Sequence, residues 1–579
     1  MGFRKHQESK THQEAVEVVI TLPQTTSNVG ELLSKAHKQE REFARNMLGL
    51  ILSSVKYLAR QGLALRGSDD AESNLIQLLR LRAEDNPQLL RWLDRSSKKY
   101  TSHENQNEML EIMAHHILRK ILSKIHDSPF YAIMVDETTD VSNKEQLTLV
   151  IRRIDENLEV FEEFLGMYTL LRTDAGSIVS AITDALLRFQ IPMTKIRGQC
   201  YDGCSTMAGA KVGVAVKIQE KEPRAVFTHC FGHALNLSVS DTIKQSGIMK
   251  DCLDTSYELI KLIKFSPKRE AMLCQLKEEN ESEAPSIRIM CPTRWTVRAA
   301  SLASIMANYN ELQELWEKAQ MATSDTEMKA RIQGIASQME TFRFLFSLLL
   351  SEMILRHTDK LSQTLQNPKL SSIEGREIAM LTVKTLQSLR SDMNFGLFWE
   401  KVELMRVQWD VEEPQLPRKR KVPRRYEQGA GKAEFNATAK DLYRQVYFEA
   451  IDLAVTSIND RFDQPGYKVY SNVEQLLFQA CSGVDYEDEV KFVCEFYGED
   501  VNRQDLESQL KVLRTLYIEK TDDGEKPSIQ VLKRILQSLT PTQLHLVDMV
   551  CWTFQLLIIM PATNATSERS FSALRRIKT

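Results

Sequence analysis

Cysteine is scarce in this chain, with nine in 579 residues, scattered from Cys200 to Cys551 without dense pairing. An odd, dispersed set fits a reducing compartment better than a disulfide framework. None precedes Cys200, so His6 and His12, spaced like the second half of a zinc finger, lack the cysteines that a four-ligand zinc site requires. Residues 1–20 therefore read as a solvated remnant of a zinc-finger tail. An excess of one charge is also missing. The net charge is -3, so any affinity for nucleic acid must come from local basic patches. Long apolar runs are absent too: the longest, Val547 to Met560, contains Asp548 and is too short to cross a bilayer. It reads as a buried core helix. The N-terminus is polar and has no apolar h-region, so no signal peptide is visible. These absences point to a soluble, intracellular protein, and 42% hydrophobic with 26% charged residues leaves enough apolar surface for a sizeable core and several domains.

What is present begins with helices. Phe43, Met47, Leu50, Ile51, Val55 and Leu58 recur at three- and four-residue spacing until Gly62 supplies a stop. A second helical stretch covers Asn74 to Leu93, and a third runs from Glu104 to Ile125, broken by Asp127-Ser128-Pro129. Residues 21–128 thus read as an all-helical N-terminal domain. The pattern then changes: Tyr131 to Val135, Gln146 to Ile154 and Glu162 to Leu171 are β-rich runs joined by short connections, which predicts an antiparallel meander. A helix follows, capped at Thr173-Asp174 and carrying Ile178, Ile182 and Leu186, and Ile196 to Tyr201 forms a fourth strand. From Ala299 to Leu539 the pattern is again helical.

The chemistry gathers where strands end. The first run stops abruptly on Asp136-Glu137-Thr138-Thr139-Asp140, and the fourth on Tyr201-Asp202-Gly203. Alone, an aspartate closing a strand is more often a turn former than a ligand. In a β-β-β-α-β order, however, the first and fourth strands can lie side by side, which would set Asp136 against Asp202. Two facing carboxylates repel unless a cation neutralises them, and the physical use of such a pair is to hold Mg²⁺ or Mn²⁺. Two such metals about 3.5 to 4 Å apart serve phosphoryl transfer, and a third carboxylate usually completes the site.

The blocks MVDETTD, GQCYDGCSTMAG, HCFGHALNL, PTRW and PATNATSERSFSALRRIKT stand in one order from Tyr131 to Thr579. In that order they resemble the transposases of the hAT superfamily, especially the branch related to zinc finger MYM-type proteins. The resemblance implies an α/β, ribonuclease H-like mixed sheet with a large all-α insertion and an all-α N-terminal domain. It implies a catalytic triad of Asp136, Asp202 and Glu568 with a two-metal Mg²⁺ or Mn²⁺ site. Glu568 stands three residues before Phe571, just inside a helix capped by Thr563 or Asn564, which would aim it at the sheet rather than at bulk water. The implied organisation is residues 129–245 for the ribonuclease H-like core, 246–540 for the helical insertion with a basic loop at 417–425, and 541–579 for the last core helices and the truncated start of a C-terminal dimerisation region.

Three further groups follow. Cys200, Cys204, Cys230 and His233 could be read as a zinc site, but Asp202 sits between the first two cysteines. In the family the CxxH of Cys230 and His233 belongs to the active-site region and helps to place DNA. Arg294-Trp295 is an aromatic pair which, by the same resemblance, would stack on a flipped base and hold a phosphate, although a Trp also packs cores. Arg418, Lys419, Arg420, Lys421, Arg424 and Arg425 put six cations into the nine residues 417–425, punctuated by Pro417 and Pro423, a cluster suited to phosphates, to nuclear localisation or simply to solvent. The expected protein is a nuclear DNA transposase, or one derived from it, with DNA as partner, no membrane, and a homo-oligomer if the C-terminal region is complete. The alternative is a domesticated, non-catalytic DNA- or protein-binding factor in transcriptional regulation.

Overall fold

In the computed structural model, residues 9–21, 35–67, 69–290, 298–416, 438–464, 466–522 and 524–578 are described. They form two compact units, Met1–Ile121 with Ala573–Thr579, and Leu122–Ser572.

The N-terminal unit is helical. Helix α1 (Lys10–Thr21) starts where the amides of His12 and Gln13 close back on the Ser9 carbonyl, so a helix stands where a polar tail was expected. Helix α2 (Lys35–Gln61) ends at Gly62, whose φ of 66° is open to a residue without a Cβ. The expected single helix from Asn74 to Leu93 is two, α3 (Asn74–Glu84) and α4 (Pro87–Leu93). The break has a local cause: the Asn86 side chain accepts the amides of Gln88 and Leu89, and Pro87 occupies the first helical position. Helix α5 (His103–Asp127) follows. Met47, Ile51 and Val55 of α2 pack with Leu75 and Leu79 of α3 and with Leu89 and Trp92 of α4.

The second unit is built on a mixed five-stranded sheet of order β3-β2-β1-β4-β5, with β1 Tyr131–Thr139, β2 Glu145–Ile154, β3 Val160–Leu170, β4 Ile196–Tyr201 and β5 Val226–His229. The first three strands form the antiparallel meander, and β4 lies parallel beside β1. Strand β1 runs on through the acidic residues to Thr139 because its ladder with β2 continues to the pair Thr139 and Glu145. The turn between them is closed by Asp140, whose carboxylate accepts the amides of Ser142 and Lys144. Strand β5 has no counterpart among the expected strands; it is four residues long and pairs parallel with β4. Helix α6 (Ala175–Arg188) is capped by Asp174 and makes the crossover to β4.

Register puts the chemistry into layers. Across the sheet Ala132 faces Arg152 and Gly198, and Met134 faces Val150 and Cys200; Asp136 comes next, opposite Thr148. Late in the chain, helix α11 (Asp548–Ile559) packs on this sheet. A Cβ on Gly198 would sit 3.1 Å from the Met560 sulfur and 3.0 Å from the Ala132 Cβ, so glycine there lets the returning chain lie directly on the strand.

Between β5 and that returning chain stands the helical insertion. Helix α7 (Phe231–Gln245) leaves the sheet, and α8 (Phe342–Leu365), α9 (Asp392–Gln408) and α10 (Ala439–Phe462) centre a large apolar core. Phe342, Phe346, Phe398, Trp399, Tyr443 and Tyr447 meet there in tilted and edge-on pairs. Helix α12 (Ala565–Lys578) closes the chain.

Candidate functional site

The structure brings the three expected carboxylates to one place. Asp136 at the end of β1, Asp202 just past β4 and Glu568 in the first turn of α12 line a single cavity of about 700 Å³, together with Cys230 and His233 at the start of α7. Glu568 is exposed at the rim of this cavity, not buried against the sheet as its spacing from Phe571 suggested. The first helical turn ends at an open mouth, so the carboxylate meets both the cavity and water.

The electrostatics are unfavourable. Burial holds the Asp136 carboxyl well above its usual range, and the negative charges of Glu568 and Asp202 add to that. Glu137, one residue on, is also raised, by burial and then by Asp202. Strand alternation assigns Glu137 to the opposite face from Asp136; beyond Met134, where the pairing of β1 with β4 has ended, it reaches the same cavity, with Oε2 buried and unpartnered. Among the described residues no three His, Cys, Asp or Glu side chains stand close enough together to hold a metal ion as they are.

The remaining contacts hold the returning chain in register. Cys230 is 1% exposed. Its sulfur accepts the Asn564 amide at 3.2 Å and lies 3.7 Å from the Thr563 hydroxyl, while the next amide, Phe231, donates to the Ala562 carbonyl at 2.9 Å. The direct partners of this cysteine are thus protein groups of the Ala562–Asn564 segment that leads into α12. A hydrogen bond from the Cys200 thiol pulls the Cys230 thiol below its usual range, and burial pushes Cys200 well above. Cys200, Cys204, Cys230 and His233 do not converge as a zinc set.

His233 lines the cavity and is lowered by burial. Its neighbour His229 is lowered to about 4, by burial and then by His233. The backbone of His229 is clamped at both ends by Gln464, which accepts its amide at 2.8 Å and donates to its carbonyl at 3.0 Å. A Cβ on Gly203 would fall 2.4 Å from the His229 ring, so the glycine after Asp202 makes room for it.

A second set of contacts fixes α12 from the other side. Arg152, 1% exposed, donates to Glu162 at 2.9 Å and to the carbonyls of Pro368, Leu370 and Ile558 at 2.6, 3.0 and 3.1 Å. Glu162 in turn accepts the Thr566 hydroxyl. Ser570 and Thr148 hydroxyls meet at 3.2 Å. Of the two expected caps Thr563 makes the contact, its Oγ1 accepting the Ala565 amide at 3.3 Å, whereas the Asn564 side chain donates to the Val135 carbonyl at 2.6 Å. Arg569, a cavity residue that the sequence did not single out, donates to the Gln366 carbonyl at 2.8 Å. Arg294, Trp295, Arg418, Lys419, Arg420, Lys421, Arg424 and Arg425 lie outside the described residues.

Residues 2–213 match the family model DUF4371, described as "ZMYM1/FAM200, RNase-like domain". That stretch contains Asp136 and Asp202 but not Glu568. The chain is also similar to the human "52 kDa repressor of the inhibitor of the protein kinase", with 22% identity over 577 residues, 94% of this chain and 72% of that protein. The mouse protein of that name is similar to the same extent, 22% identical over 94% of this chain and 73% of its own length. A shorter similarity joins the chain to the bovine "General transcription factor II-I repeat domain-containing protein 2", 32% identical over 113 residues, 19% of this chain and 12% of that protein.

Proposed function

We propose that this is a hAT-type DNA transposase, or a protein derived from one, whose cavity cuts and joins DNA strands with a divalent metal. The observation that carries the reading is the meeting of Asp136, Asp202 and Glu568, from three distant parts of the chain, on one cavity floored by a ribonuclease H-like sheet. The donor set fits a hard cation: carboxylate oxygens gathered on one cavity, with Asp136 raised by burial and then by the charges of Glu568 and Asp202, and a further buried carboxylate oxygen on Glu137 without a partner. Asp136, Asp202 and Glu568 would hold Mg²⁺ or Mn²⁺, which when bound activates a water or hydroxyl and stabilises the leaving oxygen. The chain's own residues do the rest. Cys230 and the Arg152–Glu162–Thr566 chain set the height of Glu568 over the sheet. His233, neutral at pH 7 because burial lowers it, can orient a phosphate oxygen by a hydrogen bond. Arg569 adds a cation at the rim, and Arg294, Trp295 and the 418–425 cluster are proposed as DNA contacts, the cluster also as a nuclear localisation signal. A homo-oligomer on DNA belongs to the same proposal.

The second reading is a non-catalytic nuclear regulator that keeps the fold for DNA or protein binding. The similarity over 94% of the chain to a protein named as a repressor favours it. Mn²⁺-dependent nicking of a short duplex ending in candidate terminal repeats separates the two, with Asp136→Ala and Asp202→Ala as controls. Nicking by the parent chain that both variants lose supports the enzyme. Binding of the duplex with no nicking by any of the three supports the regulator.

A further inference from the structure

Asn564 stands immediately before α12, where an asparagine ordinarily turns its side-chain oxygen back to accept an amide of the first helical turn. Here it does not. The residue is 2% exposed, its Nδ2 donates to the Val135 carbonyl at 2.6 Å, and its Oδ1 has no hydrogen-bond partner. The capping contact next to it is made by Thr563 instead. The amide orientation is set by Val135, because a carbonyl accepts only from the nitrogen end; the oxygen is thereby turned away from the strand. Val135 directly precedes Asp136, and Asn564 lines the cavity with Asp136, Asp202 and Glu568. A buried acceptor that neither caps its helix nor meets a donor has lost the hydrogen bonds that water gave it, a loss that a positive group coming to it would offset.

We propose that Asn564 Oδ1 is a neutral oxygen ligand of the divalent cation, added to the carboxylates of Asp136, Asp202 and Glu568. This rests on the metal-site reading above. Chemically it suits that site. Mg²⁺ and Mn²⁺ take oxygen donors, side-chain amide oxygens among them, and a neutral donor completes coordination without adding to a charge cluster that already strains Asp136. The Nδ2 contact preorganises the ligand, since the hydrogen bond to β1 fixes the distance between Asn564 and the backbone of Asp136 whether or not metal is bound.

The test is calorimetric titration of Mn²⁺ alone into the full-length chain and its Asn564→Ala and Asn564→Asp variants, with circular dichroism confirming that each is folded. Asn564→Ala is expected to weaken Mn²⁺ at least tenfold, and Asn564→Asp, which keeps an oxygen but loses the donor to Val135, to bind within threefold of the parent. Equal loss in both variants overturns the proposal in favour of a mere anchor on Val135, and so does an Asn564→Ala variant that binds as the parent does. A measurement on the unaltered side chain guards against misfolding: in protein labelled with ¹³C-asparagine, electron–nuclear double resonance of bound Mn²⁺ should show a ¹³C coupling that vanishes in Asn564→Asp. No coupling overturns the assignment. A parent chain that binds no Mn²⁺ removes the metal site as a whole, an outcome distinct from a parent that binds while Asn564→Ala is unaffected.

Discussion

The apolar insertion core and the cavity at the sheet edge are held together by opposite physics. Around α8, α9 and α10, Phe346 is fully buried and its ring meets Phe342, Phe398, Trp399 and Tyr443, each contact adding burial and dispersion. At the cavity, Asp136 is held above its usual range by its surroundings, and Glu137 and Asn564 keep buried oxygens unpartnered. One region gains stability from each added apolar contact; the other is stable because the rest of the fold over-determines it. Repulsion and orphaned acceptors retained against a sound core mark the place where something other than stability is kept.

Substitutions can break this contrast. The largest effect belongs to the apolar core: Phe346→Ala should cost about 4 kcal/mol, seen as a lower urea midpoint with an unchanged slope. A loss under about 1 kcal/mol would mean that the aromatic cluster is not the scaffold it resembles. Next comes Arg152→Met, which strands Glu162 and three carbonyls and should cost about 3 kcal/mol. Because the same guanidinium orders the approach to α12, hydrogen exchange of the 565–572 amides should rise in this variant while β1 and β4 stay protected; uniform exposure would refute a local role.

Asp136→Asn should act in the opposite direction. A carboxyl raised in the fold favours its protonated form there, so in the metal-free chain this group's contribution to stability is fully present below the ordinary aspartate range and is lost as pH rises towards the raised value. The asparagine variant should melt a few degrees higher at pH 7 and show a flatter dependence on pH, while Mn²⁺ no longer raises its melting temperature. A lower melting temperature at every pH would contradict the repulsion. The smallest effect separates burial from convergence. Glu474, remote in sequence from the triad, is raised to about 7 by burial and then by Glu377. Its contribution is present at acid pH and lost between about pH 4.5 and 7, so Glu474→Gln should remove that part of the slope without changing Mn²⁺ binding or nicking.

Much of the architecture was legible in residues. The runs ending at Asp136 and Asp202 have strand patterning, their order placed β1 beside β4, and Gly62 stopped a helix for a reason visible in its type. Glu568 was reached by resemblance, since a glutamate in a first helical turn is common on any surface. Glu137 was hidden by strand alternation, which no longer decides access to the cavity where β1 keeps β2 but has lost β4 as a partner. Strand β5 was too short to show a period, and nothing near Cys230 in the sequence pointed to the Asn564 amide that its sulfur accepts.

By itself, then, the amino-acid order determined the periodicities, the stops and the residue types available at each strand tip, because these depend on neighbours within a few positions. Only the tertiary structure decided that Asn564 turns from its helix to Val135, that Arg152 spends its donors on Pro368, Leu370 and Ile558, and that three carboxylates share one cavity. Those are pairings between residues far apart in the chain. No local preference encodes them; they arise when the insertion's large apolar core brings the returning chain back onto the sheet.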